Sequence, residues 1–415
     1  MNRFATAAAL VLLVTPLAVA DRGEIEAVLA EMERAVLAGD PRAYLDLVVP
    51  ADGPEGDPVF RKEQENWAAD LTSEHGGPPA EFDLRIAENS EGEFWPLRAE
   101  VELVMTWRMK PADGAGRAAR ERSVSFPAVF KNVDGRWLYA GENWIVFKGD
   151  GVVVRTAAGF EEAAKTVVEV WPEVRTHVED GFGVGGEGLG VQEVKIYGDM
   201  RHLQASIYLS YVDGLAGWNE PGESIKILGA VAGSRRRGSG SEVDADGEDG
   251  DGRGGGRASR DIAAVRTLLA HEYGHVATYV MGEHANTMPW WVLEGVAELA
   301  SEKFNPRLGP ATDGVVRRWA EAGTLAPWEE ISDFRTVPGR YARHVYRQGH
   351  HMVAYVSDRF GRDGRNQWLR EMATGKTLDE ATQAALGMSF EDLDRAWRAE
   401  LEREAADEEE AGGGE

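Results

Sequence analysis

Two histidines four positions apart, His271 and His275, enclose a glutamate in the segment Leu269-Ala270-His271-Glu272-Tyr273-Gly274-His275-Val276. On a helix that spacing puts both imidazoles on one face, one turn apart. Two neutral ring nitrogens so placed can bind one zinc ion. Glu272 projects beside them, close enough to hold a metal-associated water without ligating. The flanking Ile262, Val265, Leu268, Leu269, Val276 and Val280 are apolar, as a buried site helix requires. Taken alone, such histidines are more often ordinary core or surface residues, so the reading depends on what else the chain supplies. Gly274 costs the helix about 1 kcal/mol relative to alanine and is read as permitting close packing against a strand.

A zinc site with one position open to water needs a third protein ligand. Nineteen positions after His275 stands Glu294, within Pro289-Trp290-Trp291-Val292-Leu293-Glu294-Gly295-Val296-Ala297-Glu298. Together the two segments resemble the gluzincin metallopeptidases, in which a second helix supplies a glutamate from a W-x-x-E-G-x-A segment. The resemblance implies His271, His275 and Glu294 as ligands of one Zn2+ ion and Glu272 as the catalytic base. Glu298, one turn beyond Glu294, would then stand behind the ligands and orient a ligand histidine. "RYARHVYRQGHHMVAYVSDRFG" (Arg340 to Gly361) and "TLDEATQAALGMSFEDLDRAWRAEL" (from Thr377) are similar to the later helices of the bacterial peptidase MA-like group. The resemblance therefore spans residues 151–402. Because gluzincin aminopeptidases use a tyrosine to hydrogen-bond the oxyanion, Tyr346 is the candidate donor. His344, His350 and Tyr341 compete for that role, and an ordinary packed aromatic is the other reading of Tyr346.

The function implied is an exported zinc-dependent metallopeptidase. A zinc-activated water would attack the peptide bond, with Glu272 as general base and then proton donor to the leaving amine. The chain has no cysteine and no G-x-S-x-G elbow, which argues against a covalent nucleophile. A G-x-M-E-N loop of the aminopeptidase kind is missing, so endopeptidase action on a peptide or protein is expected. The alternatives are a zinc hydrolase of a non-peptide amide or ester, and a catalytically idle envelope protein that binds through its N-terminal domain. The strand Ser224–Gly229 corresponds to the edge strand to which a substrate could add in such folds; a core strand without a substrate role is the competing reading.

These residues need a scaffold, and the rest of the chain is read as α+β. The 415 residues are 43% hydrophobic and 28% charged, enough for packed cores. A formal charge of −26 argues against nucleic acid as a partner. Residues 1–20 have a short basic start, an apolar run and Ala18-Val19-Ala20, the pattern of a cleaved signal peptide. No later stretch is apolar enough to span a bilayer, so export without stable membrane insertion is expected. Residues 21–150 open with helical patterning (Ile25, Val28, Leu29, Met32, Val36, Leu37) and a second helical stretch, Glu63 to Leu71. Strand-like runs follow at Glu81–Ala87, Pro96–Trp107, Arg122–Phe130 and Arg136–Phe147, with an Asp-Gly hairpin turn at Asp134-Gly135. Helices before a meander closed by "DGRWLYAG" resemble the NTF2-like α+β cone.

Residues 151–402 form the expected peptidase domain: a small mixed sheet, the site helix and a mainly helical C-terminal part. Its elements are read as a helix over Phe160–Val178, strands at Val191–Tyr197, Ala205–Leu209 and Ser224–Ala230, and a site helix capped by Ser259. Residues 233–259 are read as a disordered insertion. The acidic residues from Asp244 to Asp251 lack the mid-loop glycine and final glutamate of an EF-hand, so calcium is not expected there. Residues 403–415 are read as an acidic disordered tail.

Overall fold

The computed structural model describes residues 22–52, 56–110, 120–185, 189–211, 214–229 and 255–412. The expected signal peptide, and the expected insertion up to residue 254, lie outside the described residues. The chain divides into two compact units, Met1–Asp57 with Pro78–Asn143, and Pro58–Gly77 with Trp144–Glu415.

In the first unit, α1 (Arg22–Ala38) and α2 (Pro41–Leu45) precede an antiparallel sheet. Helix α1 buries Ile25, Leu29, Met32 and Val36 but leaves Leu37 exposed. The sheet comprises β1 (Glu81–Ile86), β2 (Glu93–Phe94), β3 (Arg98–Arg108), β4 (Arg122–Val133) and β5 (Arg136–Glu142), in the order β1-β3-β4-β5 with β2 beside β3. Ala99, Val101, Leu103, Met105 and Trp107 alternate inward along β3, the period of a sheet with one buried face. Between β4 and β5, Asp134 and Gly135 both take positive φ, 52° and 84°. That is the type I′ geometry the Asp-Gly pair favours. The run Arg136–Phe147, expected as one strand, ends at Glu142, and the chain then enters the sheet of the other unit.

The second unit begins with α3 (Pro58–Asp70) and continues with β6 (Ile145–Gly149), β7 (Val152–Thr156), α4 (Glu161–Phe182), β8 (Gln192–Tyr197), α5 (Met200–Ile207), β9 (Gly217–Trp218) and β10 (Ile225–Leu228). The strand order is β6-β7-β8-β10-β9. Strands β7, β8 and β10 pair in parallel, and β6 and β9 close the two edges antiparallel. Two expectations are corrected here. Ala205–Ile207 is the end of a helix rather than the start of a strand, because Asp199 caps α5 by accepting from the N–H groups of Arg201 (2.8 Å) and His202 (3.2 Å). Leu203 and Ile207, four apart, bury together. Nor is Ser224–Gly229 the edge: β9 covers β10, with Lys226 opposite Trp218 and Ile227 opposite Gly217.

The helical part comprises α6 (Gly255–Tyr279), α7 (Trp290–Ser301), α8 (Leu308–Glu321), α9 (Ala342–Ala373, broken at Gly361), α10 (Leu378–Leu386) and α11 (Phe390–Gly412). Helix α6 starts at Gly255, four residues before the expected cap Ser259. Helix α11 likewise runs through residues 403–412, where glutamate and alanine continue the helix instead of a disordered tail. Trp291 of α7 is fully buried, 4.4 Å from the Trp328 ring and 5.9 Å from Phe390. Among the described residues, no helix is long and apolar enough to cross a membrane.

Candidate metal centre

Helix α6 carries His271, Glu272 and His275; α7 carries Glu294 and Glu298; α9 carries Tyr346. How closely α6 and α7 approach is set by Gly274. A Cβ there would lie 3.0 Å from Ala297 Cα and 3.0 Å from Ala300 Cβ. The glycine thus packs against a helix, not the strand expected, because α7 rather than the sheet lies over that turn of α6. On the opposite side of α7, a Cβ on Gly295 would meet the Gly349 carbonyl of α9 at 2.6 Å. Helix α7 is therefore held between two backbones at close range, and its glutamates are carried to the histidines.

The ligand atoms of His271, His275 and Glu294 all lie within 4.8 Å of one another, and among the described residues they are the cluster able to hold a metal ion. Glu294 Oε2 stands 3.3 Å from His271 Nε2 and 3.7 Å from His275 Nε2. This oxygen is buried and accepts no hydrogen bond. Its near neighbours are the two ring nitrogens, and a buried carboxylate oxygen facing both is suited to share a cation with them. Two imidazoles and a carboxylate are a donor set that suits zinc. The residues fit the ion.

The surroundings fix the three candidate ligands. Trp290 Nε1 donates to Glu294 Oε1 at 2.8 Å, so the other oxygen faces the histidines. Sequence reasoning missed this role, although the spacing of four between Trp290 and Glu294 carries the signal. Glu298 Oε1 lies 3.5 Å from His271 Nδ1, and the His275 ring stacks on Tyr279 at 6.3 Å. Burial alone would lower the His271 pKa, but the adjoining Glu294 and Glu298 raise it well above the usual histidine value. Burial lowers His275 to about 4 despite Glu294. A bound dication requires both rings neutral and would displace the His271 proton.

Glu272 is buried, and its carboxylate lies against Gly217 of β9, where an added Cβ would collide with it. Burial pushes its pKa up to about 7, aided by Glu294 and opposed by His271. Its position by the edge strand was also missed from sequence, because a two-residue strand has no periodicity to read. The Tyr346 ring lies 6.5 Å from that of His271 and 6.0 Å from Trp290. Its hydroxyl is held well above its ordinary pKa by burial first, then by Glu294, and so keeps its proton. Its competitors are engaged elsewhere. His344 stacks on Trp319 at 3.8 Å and contacts the Thr324 carbonyl. His350 contacts Thr312 and Glu302, and Tyr341 packs on His344 and Arg340.

Two cavities open on the cluster and share Tyr211, Leu215, Gly217, His271, Glu272 and Tyr346. One, of about 730 Å³, has Leu268, Phe304, Leu308 and Arg347 on its wall. The other, of about 450 Å³, is rich in aromatic rings: Tyr211, Trp218, Trp290 and Phe334.

Residues 256–403 match the Peptidase MA superfamily. The match takes in all of α7 and α9 and the part of α6 that bears the histidines, as the resemblance of the two motifs implies. An uncharacterized protein of Bacillus subtilis (strain 168), YhcO, is 23% identical over 146 residues, which are 34% of this chain and 42% of that protein. The matched segment thus spans less than half of that relative.

Proposed function

We propose that this protein is an exported, zinc-dependent peptidase acting on peptide bonds within proteins or peptides. The observation that carries the reading is the convergence of His271, His275 and Glu294 within 4.8 Å, with the buried Glu272 alongside. The superfamily match of residues 256–403 supports a metallopeptidase-like fold. When bound, the ion supplies Lewis acidity, which acidifies a water and polarises a carbonyl. Glu272, with a pKa near 7, can take a proton from the attacking water at its carboxylate and pass it to the leaving nitrogen. Tyr346, protonated at neutral pH, donates its O–H to the carbonyl oxygen as negative charge develops there. Trp290 and Glu298 keep the ligands aimed. The two cavities leave room for chain on both sides of the cleaved bond, which favours endopeptidase action.

The test combines metal analysis by mass spectrometry with cleavage of an unstructured protein. One zinc per chain is expected, with activity reduced about a hundred- to ten-thousand-fold in Glu272→Gln at unchanged zinc content. Protein without zinc, or proteolysis indifferent to that substitution, would remove the reading. Export is checked by the N-terminal sequence of the protein recovered outside the cytoplasm, expected to begin at Asp21; a retained Met1 contradicts cleavage.

A further inference from the structure

The aromatic cavity has a polar end whose support comes from far away in the chain. Its rings form a connected wall, with Tyr211 and Trp218 5.4 Å apart and Trp290 and Phe334 5.1 Å apart. Glu220 and Arg335 line the same cavity. Behind them lies α3, which comes from residues 58–70 and is outside the segment that matches the superfamily. Asn66 Nδ2 donates to Glu220 Oε2 at 3.1 Å and to Glu223 Oε1 at 2.7 Å, bridging two carboxylates that would otherwise repel. The buried Asp70 accepts from Ser210 Oγ at 2.7 Å, next to Tyr211, and pairs with Arg335 at 3.6 Å. The helix is itself anchored. Trp67 Nε1 donates to the Ala205 carbonyl at 3.0 Å, and Glu63 bonds Lys195 and Ser224. Neither Asn66 nor Asp70 lines the cavity or touches the ligand cluster.

We propose that α3 is a brace for the substrate-binding wall, with Asn66 and Asp70 as positioning residues that act through Glu220, Arg335 and the Ser210-Tyr211 segment. The ligand is a peptide with a large side chain seated among the rings, so the inference rests on the peptidase reading. A brace of this kind sets how well substrate binds while leaving the proton-transfer groups in place.

The experiment uses the full chain loaded with zinc and an internally quenched peptide carrying phenylalanine beside the scissile bond. For Asn66→Ala and Asp70→Asn we expect KM to rise about tenfold with kcat within about twofold of wild type and zinc content unchanged. In the Glu272→Gln background, the same peptide should quench the fluorescence of the cavity tryptophans, with Kd weakened by the same factor in the Asn66 and Asp70 variants. Lower melting temperature or active fraction with KM and Kd unmoved would mean that α3 serves folding only, and would overturn the proposal. Absence of turnover by the wild type would remove the peptidase reading and this inference with it, whereas turnover with KM unmoved removes this inference alone.

Discussion

Gly217 shows how little space the site leaves at the scale of single residues. It belongs to the edge strand, and an added methyl would occupy the space of the Glu272 carboxylate. Because the methyl would meet the far end of the Glu272 side chain rather than backbone, the carboxylate rather than the strand gives way. Displacing the proposed general base by about 1 Å costs on the order of a hundredfold in rate. Gly217→Ala should therefore lower kcat by about that factor with zinc content intact, measured by peptide turnover beside metal analysis. Loss of zinc would instead mean that the methyl reaches the ligands. The histidine pair was legible in the sequence because a spacing of four on a helix fixes which side chains share a face, whereas Glu294 came only from the resemblance of its segment to the gluzincins. Gly217 was not legible, since its importance comes from a neighbour 55 positions away in the chain.

Between elements, the deciding quantity is the distance at which helices cross. Gly274→Ala would gain about 1 kcal/mol of helix propensity. The same methyl sits 3.0 Å from the Ala297 backbone, and α7 cannot retreat because Gly295 already abuts the α9 backbone. Overpacking of this kind costs about 1–3 kcal/mol, so the crowding outweighs the propensity. The variant should melt at lower temperature, and chelator competition should show weaker zinc binding as Glu294 is pushed from the histidines. A higher melting temperature would show that α7 has slack. Sequence patterning found α4 to within four residues at each end, since a long apolar period outvotes local ambiguity, whereas α7 and the first part of α9 were expected from the family resemblance. It misread Ala205–Leu209, where five residues alternate like a strand while the deciding cap, Asp199, stands upstream. The edge position of Ser224–Gly229 failed for a related reason: nothing in a strand's own residues says whether another strand covers it.

Over the whole molecule, the least legible feature is that α3 folds with the later unit. It is contiguous with α1 and α2, and an amphipathic period does not say which core the apolar face joins. What decides it is a buried polar network. Burial works most strongly against the charge on Glu63, yet Lys195 and Lys226 hold its carboxyl below the ordinary value of 4.5. For Lys195, burial likewise opposes, but Glu63 and Glu193 raise it above 10.5. A lowered carboxyl contributes stability that is present above the unfolded-state value and lost as pH falls through the folded one; the raised lysine loses its share only as pH climbs past 10.5. The contribution of this pair should thus be flat across neutral pH and be lost in acid. In Glu63→Gln the acid-side fall should be shallower, and stability at pH 7 lower by about 3–5 kcal/mol, read from denaturant unfolding at several pH values.

The same network bears on how the chain can be divided. A protein beginning at Trp144 would keep every residue of the ligand cluster but lose Pro58–Gly77. Lys195 would be left with Glu193 at 3.5 Å and without Glu63, and the surface under Trp67 would be bare. Such a fragment should be poorly soluble or melt well below the full chain, despite containing the whole segment that matches the superfamily. Lys195→Met within it should recover part of the loss, because an apolar side chain does not need the missing carboxylate. Joining residues 58–77 to Trp144 through a flexible linker should recover more, since it restores both the charge pair and the apolar contact. A Trp144 fragment as stable as the full protein would show that α3 contributes little to the second unit; recovery by the linked helix but not by Lys195→Met would assign its contribution to packing around Trp67 rather than to charge.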